Sequence, residues 1–371
     1  MSKNNLTIEN VTLYHVELPL RSPFTTSFGT VEARGTLLVR LQSGDLCGWG
    51  SAAHLPAPVY VPEFLQAGKL LLAEHILPRT VGLPLAAPAD IAKCYSGLRG
   101  NNLSKAALEM AAWDLFAKAN AKPLYEQLGS TRNVAEVGIS IGVKQADALL
   151  AEIAKSLEDG YKRIKIKIRP GADVSVIQQV RGTFPDVPLM VDANSAYGLS
   201  DVDTFRKMDQ FGLMMIEQPL AADDIVDHAK LQKQIATPIC LDESIFSAQD
   251  ARKAGEMGSC KVINIKPGRV GGLAESLRIL TVCRTYGLDA WVGGMLESGL
   301  GRAFLNHLAV QDGVTLPGDL SPSNAYLAED IADSPPVRKG LIMLGDEPGV
   351  GVKVKEDILD KCLKDKLEFA A

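Results

Sequence analysis

The chain has 371 residues, a net charge of −5 and a composition that is 46% hydrophobic. That length and apolar content can bury a large core in more than one compact unit. The mildly acidic balance gives no basic surface for nucleic acid or anionic lipid.

No apolar run approaches the roughly 18 residues needed to span a membrane. The opening residues, MSKNNLTIENVTLYHVELPL, lack the apolar centre of a signal peptide. A cytoplasmic protein is therefore expected. Cys47, Cys94, Cys240, Cys260, Cys283 and Cys362 form no CxxC pair, and most sit among apolar residues, which predicts buried free thiols. The five histidines are scattered and argue against a zinc site.

In chain order, NVTLYHVELPL, GTLLVRLQSG and LCGWGSA read as an antiparallel meander. LSKAALEMAAWDLFAKANAKPLYEQLG follows as a helix pair. Residues 1–125 are expected to form an α+β capping domain. Strands are then expected at EVGISIGV, RIKIKI, VPLMVDAN, GLMMIEQP, TPICLDES, KVINIKPG, LDAWVGG and GVTLPGDL, with amphipathic helices between them. Ser200 and Ser247 are placed as N-caps of two of those helices.

Lys167, Asp192, Glu217, Asp242 and Lys266 end five of these runs at intervals of 25, 25, 25 and 24 residues. A strand and a helix every 25 residues is a βα unit. Eight such strands make a (β/α)8-type TIM barrel, of the modified (β/α)7β form, over residues 126–330. An open doubly wound sheet is the alternative. No GxGxxG follows a strand and no GxxxxGK[ST] is present, so nucleotide binding has no support. Residues 331–371 are expected to return to the capping domain through the short strands GLIMLG and GVGVKV and a charged helical end.

Reactive groups of such barrels stand at the C-terminal ends of the strands. One acid at a βα junction can simply cap the next helix. Three acids flanked by two lysines, on five successive strands, need each other and a cation. An all-oxygen set suits a hard divalent ion such as Mg2+, with Mn2+ as a substitute. In YKRIKIKIRPG the alternation puts Arg163, Lys165 and Lys167 on one face and Ile164, Ile166 and Ile168 on the other. A neighbouring cation and desolvation both lower an ammonium pKa, which would suit a lysine base. The chemistry that follows is removal of a proton α to a carboxylate, with Lys266 facing the same space from the other side. Arg163 has no evident role at this level.

The runs IKIKIRPG, VDANSAY, MIEQPL, CLDESI, INIKPGRVGG and GGMLESGLGR, in this order, resemble the enolase superfamily in its muconate-lactonizing subgroup. Within it the chain is most similar to the o-succinylbenzoate synthase / N-acylamino acid racemase family, across nearly its whole length. The resemblance implies that Asp192, Glu217 and Asp242 bind Mg2+, that Lys167 and Lys266 are acid/base groups on opposite faces, and that Lys165 assists Lys167. It implies support of the metal ligands by Asn194 and Glu243. Phe24 and Phe28 of a capping loop, Tyr60, Ser140, Met295 and Leu296 would shape the pocket, with Gly293 and Gly294 allowing close approach of substrate to backbone. Arg269 would join the substrate-binding set and favour a racemase activity beside the synthase activity.

The implied substrate is a small carboxylate with a succinyl-type arm, and the implied assembly a homo-oligomer. Ser51 stands where the superfamily often has Glu. A racemase alone, a dipeptide epimerase or a muconate cycloisomerase are the rival activities. The epimerase reading lacks its second acid, because two positions after Asp319 stands Ser321 rather than another acid. A non-catalytic barrel is the rival from a different class.

Overall fold

A computed structural model describes residues 5–26, 29–142 and 144–370, without the side chains of 23–31. Phe28 lies outside the described residues, and Phe24 contributes only its backbone.

Strands β1 (Asn10–Thr26), β2 (Gly29–Ser43) and β3 (Leu46–Ala53) form the expected antiparallel meander. Its inner surface rests on the buried helix α1 (Asn102–Ala119), where Gly48 and Gly50 approach the helix so closely that a Cβ would meet the Ala111 and Ala107 carbonyls.

The second sheet is built from β4 (Val134–Ile141), β5 (Ile164–Lys167), β6 (Leu189–Asp192), β7 (Ile216–Glu217), β8 (Ile239–Leu241), β9 (Val262–Ile265), β10 (Asp289–Val292) and β11 (Gly318–Asp319). Each is parallel to its neighbours, and β11 returns to pair with β4. The ring is completed where Thr315 and Leu316 donate backbone N–H groups to Ala290 O. This is the eight-stranded barrel.

The period-2 pattern of β5 sorts as expected. Ile164, Ile166 and Ile168 are buried in the layer shared with the surrounding helices, beside Ile153, Ile177 and Val180. Each contributes about 2 kcal/mol by burial. The lower interior of the barrel is filled by Met190, Met215, Cys240, Val262 and Trp291.

The helix Ala248–Met257 starts as predicted: Ser247 Oγ accepts from Asp250 N at 3.2 Å. Ser200 does not cap its helix. It lies inside a single 3-10 turn, and Asp201 accepts from Gly198 N instead at 2.9 Å.

The tail departs from expectation twice. GLIMLG supplies β12 (Leu341–Met343), antiparallel to β4, but GVGVKV forms no strand. The charged end is a short helix (Glu356–Cys362) followed by strand β13 (Leu363–Ala370), which adds to β1 of the capping sheet. Alternation in LKDKLEFA puts Leu363, Asp365, Leu367 and Phe369 on the more buried side, a strand period that its charge content hides. All six cysteines are unbonded, five buried and Cys47 half-buried. Among the described residues no helix is long and apolar enough to cross a membrane.

Candidate active site

Equal spacing suggested five groups at one height. The register shows a staircase instead. Lys167, Asp192 and Glu217 are level with one another, and Glu217 is level with Cys240 and through it with Val262. Asp242 therefore stands two residues further along its strand direction and Lys266 four. Closing a sheet into a barrel requires such a stagger.

The groups nonetheless converge. Lys165 Nζ lies between two acids, 2.8 Å from Asp192 Oδ2 and 2.6 Å from Glu217 Oε2. Lys167 Nζ donates to Asp192 Oδ2 at 2.6 Å and to Asn194 Oδ1 at 2.7 Å. Lys266 Nζ donates to Asp242 Oδ2 at 2.9 Å and to Tyr60 Oη at 2.8 Å. The two outer lysines thus hold opposite ends of one carboxylate row. Lys167 keeps 22% of its side chain exposed against 4% for Lys165, so of the two Lys167 is the more open to the site.

Burial opposes the charge on Lys165, but Asp192 and Glu217 outweigh it and hold the ammonium well above the ordinary lysine range. Lys266 is likewise held up by Asp242 against its burial. At these two lysines the carboxylates outweigh burial. Burial, then the neighbouring Asp192, pushes Glu217 up to about 7. Glu243 is pushed up to about 8 by burial and then by Asp242.

Arg163, which had no role in the sequence, is wholly buried on the floor of the site. Its guanidinium donates to Asp319 Oδ1 at 2.6 Å and Pro317 O at 3.0 Å, and stacks on Trp291 at 4.5 Å. Gly138 makes room for it, since a Cβ there would stand 2.7 Å from the guanidinium. Asp319 Oδ2 lies 3.5 Å from Lys165 Nζ, so Asp319 links the two cations. Despite burial, Arg163 and Lys165 hold Asp319 down to about 2.

Several expected substrate contacts are placed otherwise. Arg269 is fully buried. It pairs with Asp242 Oδ1 and donates to Tyr60 Oη, Ile245 O and Asn264 O, which leaves it behind the acid and away from open space. Gly293 and Gly294 make room for protein groups rather than ligand: a Cβ would stand 2.2 Å from Asn264 Oδ1 at the first and 2.5 Å from Arg302 Nη1 at the second. Tyr60, Met295 and Leu296 are half-buried and Ser140, level with Lys165, is exposed. Asn194 reaches both Lys167 and Glu243, donating to Glu243 Oε1 at 2.9 Å. Ser51 is buried where a Cβ on Gly301 would touch it at 3.2 Å.

Two supporting residues were missed. Gln218 is buried, with φ of 36°, and its Oε1 accepts from the backbone N–H of Asp242 at 2.9 Å and of Ser244 at 3.2 Å. Asn264 Nδ2 donates to Glu217 Oε1 at 2.9 Å. A signal for Asn264 was present: it shares the inward parity of Lys266 in an otherwise apolar strand.

Among the described residues no three potential ligands form a finished coordination group, because the acids face ammonium and guanidinium partners. The donor chemistry still fits a hard divalent cation. Asp192, Glu217 and Asp242 offer only oxygen, and Glu243 Oε2 is buried without a hydrogen-bond partner.

Residues 8–129 match the model of the mandelate racemase / muconate lactonizing enzyme N-terminal domain, and residues 148–358 the enolase C-terminal domain-like model. An o-succinylbenzoate synthase of Geobacillus stearothermophilus is 48% identical, over 94% of each chain. An N-succinylamino acid racemase of Thermus thermophilus is 43% identical, over 95% of this chain and 96% of its own. Among solved structures, an enolase superfamily member from Listeria innocua superposes with a TM-score of 0.95 at 38% identity, covering 98% of this chain and 99% of that one. With both family models matched and relatives of this similarity along almost its full length, the chain belongs to the enolase superfamily of enzymes, in its o-succinylbenzoate synthase / N-acylamino acid racemase family.

Proposed function

We propose that this chain is an o-succinylbenzoate synthase of menaquinone biosynthesis, a Mg2+-dependent hydro-lyase acting on a succinyl-hydroxycyclohexadiene carboxylate. The observation that carries the reading is the pair of ammonium groups, Lys167 on Asp192 and Lys266 on Asp242, at the two ends of one carboxylate row. The 48% identical relative bears the same activity in its name.

Asp192, Glu217 and Asp242 would hold the divalent ion, supported by Asn194, Glu243, Gln218 and Asn264. When bound, the ion supplies positive charge opposite the substrate carboxylate, whose oxygens gain negative charge as the α-proton leaves. Lys167, as the free amine, takes that α-proton. The C–H electron pair enters the ring, the β-hydroxyl departs with its bonding pair, and a proton returned from Lys167 completes the water. Lys165 is the fixed charge beneath this exchange. Lys266 stands on the opposite side as a cation.

A second activity, racemisation of N-succinylamino acids, is favoured by the same pair. A lysine on each side can remove the α-proton from one enantiomer and return it to the other face. The 43% identical Thermus thermophilus relative carries that name.

The test offers the Mg2+-loaded protein both substrates in D2O and follows water loss and α-deuterium uptake, alongside Lys167→Ala and Lys266→Ala. Dehydration lost in both variants is expected, since the base is missing in one and the opposing cation in the other. Normal turnover in either variant would sink the assignment. Exchange from both enantiomers without dehydration would make the protein a racemase alone.

A further inference from the structure

Arg34 takes no part in the chemistry above, yet its placement is unusual. It sits on β2 opposite Leu18, close to where the β1–β2 ladder shifts register between Pro19 and Phe24. Only 2% of it is exposed. Its Nη2 donates to Ala53 O at 3.3 Å and to Met295 O at 2.8 Å. Ala53 ends β3 and leads into the 54–64 segment that carries Tyr60 to Lys266 and Asp242. Met295 belongs to the turn after β10. One guanidinium therefore holds a carbonyl on each of two separate segments that border the site.

Both segments have further anchors. Glu63, at the far end of the first, accepts from the N–H groups of Asn102 at 2.7 Å and Leu103 at 2.9 Å. In the second, Met295 N donates to Glu297 Oε1 at 2.7 Å, and Glu297 Oε2 lies 3.1 Å from Arg302 Nη2. Arg302 in turn donates to Asp319 O at 2.5 Å and Tyr326 Oη at 2.9 Å. The joint between the two segments runs through Arg34. An arginine that merely glued the capping sheet to the barrel would need only one of these carbonyls.

We propose that Arg34 is a positioning residue that fixes the 54–64 segment against the 293–297 turn and so sets the width of the pocket for the non-reacting arm of the substrate. The proposal rests on the functional reading above for its substrates, but the clamp itself does not. A lysine keeps the charge and lacks the planar fork, so Arg34→Lys and Arg34→Met grade the loss.

Backbone hydrogen exchange is measured on the Mg2+-loaded protein, with steady-state kinetics on the cyclohexadiene and on N-succinyl amino acids. In Arg34→Met the amides of 54–64 and 293–297 are expected to exchange faster together, while those of β5 to β9 keep their rates. KM should rise roughly 10- to 100-fold for both substrates, the scale of a lost hydrogen bond to a charged group, with kcat within about threefold. Arg34→Lys should fall between, and it decides alone should the methionine variant fail to fold. Faster exchange in only one segment, or a fall in kcat at unchanged KM, would overturn the proposal. If the unmodified protein turns over neither substrate, the functional reading fails, and the exchange pattern still decides whether Arg34 is the clamp.

Discussion

Two buried neutral histidines should each cost stability in acid, and His307 allows the size to be worked out. His307 lies on the helix Gly299–Ala309, stacked on Tyr125 with ring centroids 5.9 Å apart. Its Nδ1 accepts from Tyr125 N at 3.0 Å, and Nε2 faces Val350 O at 3.1 Å, so the ring must carry its proton on Nε2. A second proton would set Nδ1–H against the Tyr125 N–H. Burial pushes His307 down to about 4 from an ordinary 6.5, and His54 shifts to the same value for the same first reason.

Between pH 6.5 and 4 the unfolded chain binds the proton and the folded one does not. The contribution of His307 to stability is therefore full above pH 6.5 and is lost as the pH drops through that window. A shift of this size corresponds to about 3 kcal/mol for His307, at a slope of up to about 1.4 kcal/mol per pH unit. His307→Gln removes the titration while an amide can still donate and accept. Urea-unfolding free energies at pH 7, 6, 5 and 4.5 should show the variant losing about 1.4 kcal/mol per unit less than the parent. An acid slope identical in the two proteins would refute the reasoning.

Arg163→Met should cost about 3–5 kcal/mol in urea unfolding, because it strips Asp319 of its nearest cation inside the barrel; a cost below about 1 kcal/mol would mean that Lys165 alone satisfies that acid. Gln218→Ala should weaken Mn2+ binding, read by titration without substrate, by about 10- to 100-fold, since its amide fixes the backbone that carries Asp242. An unchanged Mn2+ affinity would show that β8 places Asp242 without help.

The barrel was legible because parallel strands separated by one helix each repeat at a nearly constant length, and β-branched alternation marks which residues face inward. That is why RIKIKI could be sorted into helix-facing isoleucines and inward cations. Height within the barrel was not legible. The stagger that closes the ring lifts Asp242 and Lys266 above Glu217, and no spacing along one chain reports a shift between neighbours. Partners were harder still. Arg163 had no evident role, and only the residue ahead of β11, 154 positions later, supplies the Pro317 carbonyl that it reaches from just before β5. Arg269 followed a familiar KPG run and was read as substrate-facing, whereas the fold turns it back onto Asp242.

These cases share one physical cause. A buried charge is tolerated only where the fold brings up its counter-charge, and each counter-charge here comes from another strand. Residue type and parity predict that Lys165, Asp192 and Glu217 need partners; the sheet decides which partner each receives. The geometry of the site is therefore a property of strand register. Substitutions that shift register, such as a side chain at Gly138 that displaces Arg163, should disturb the lysines without touching them.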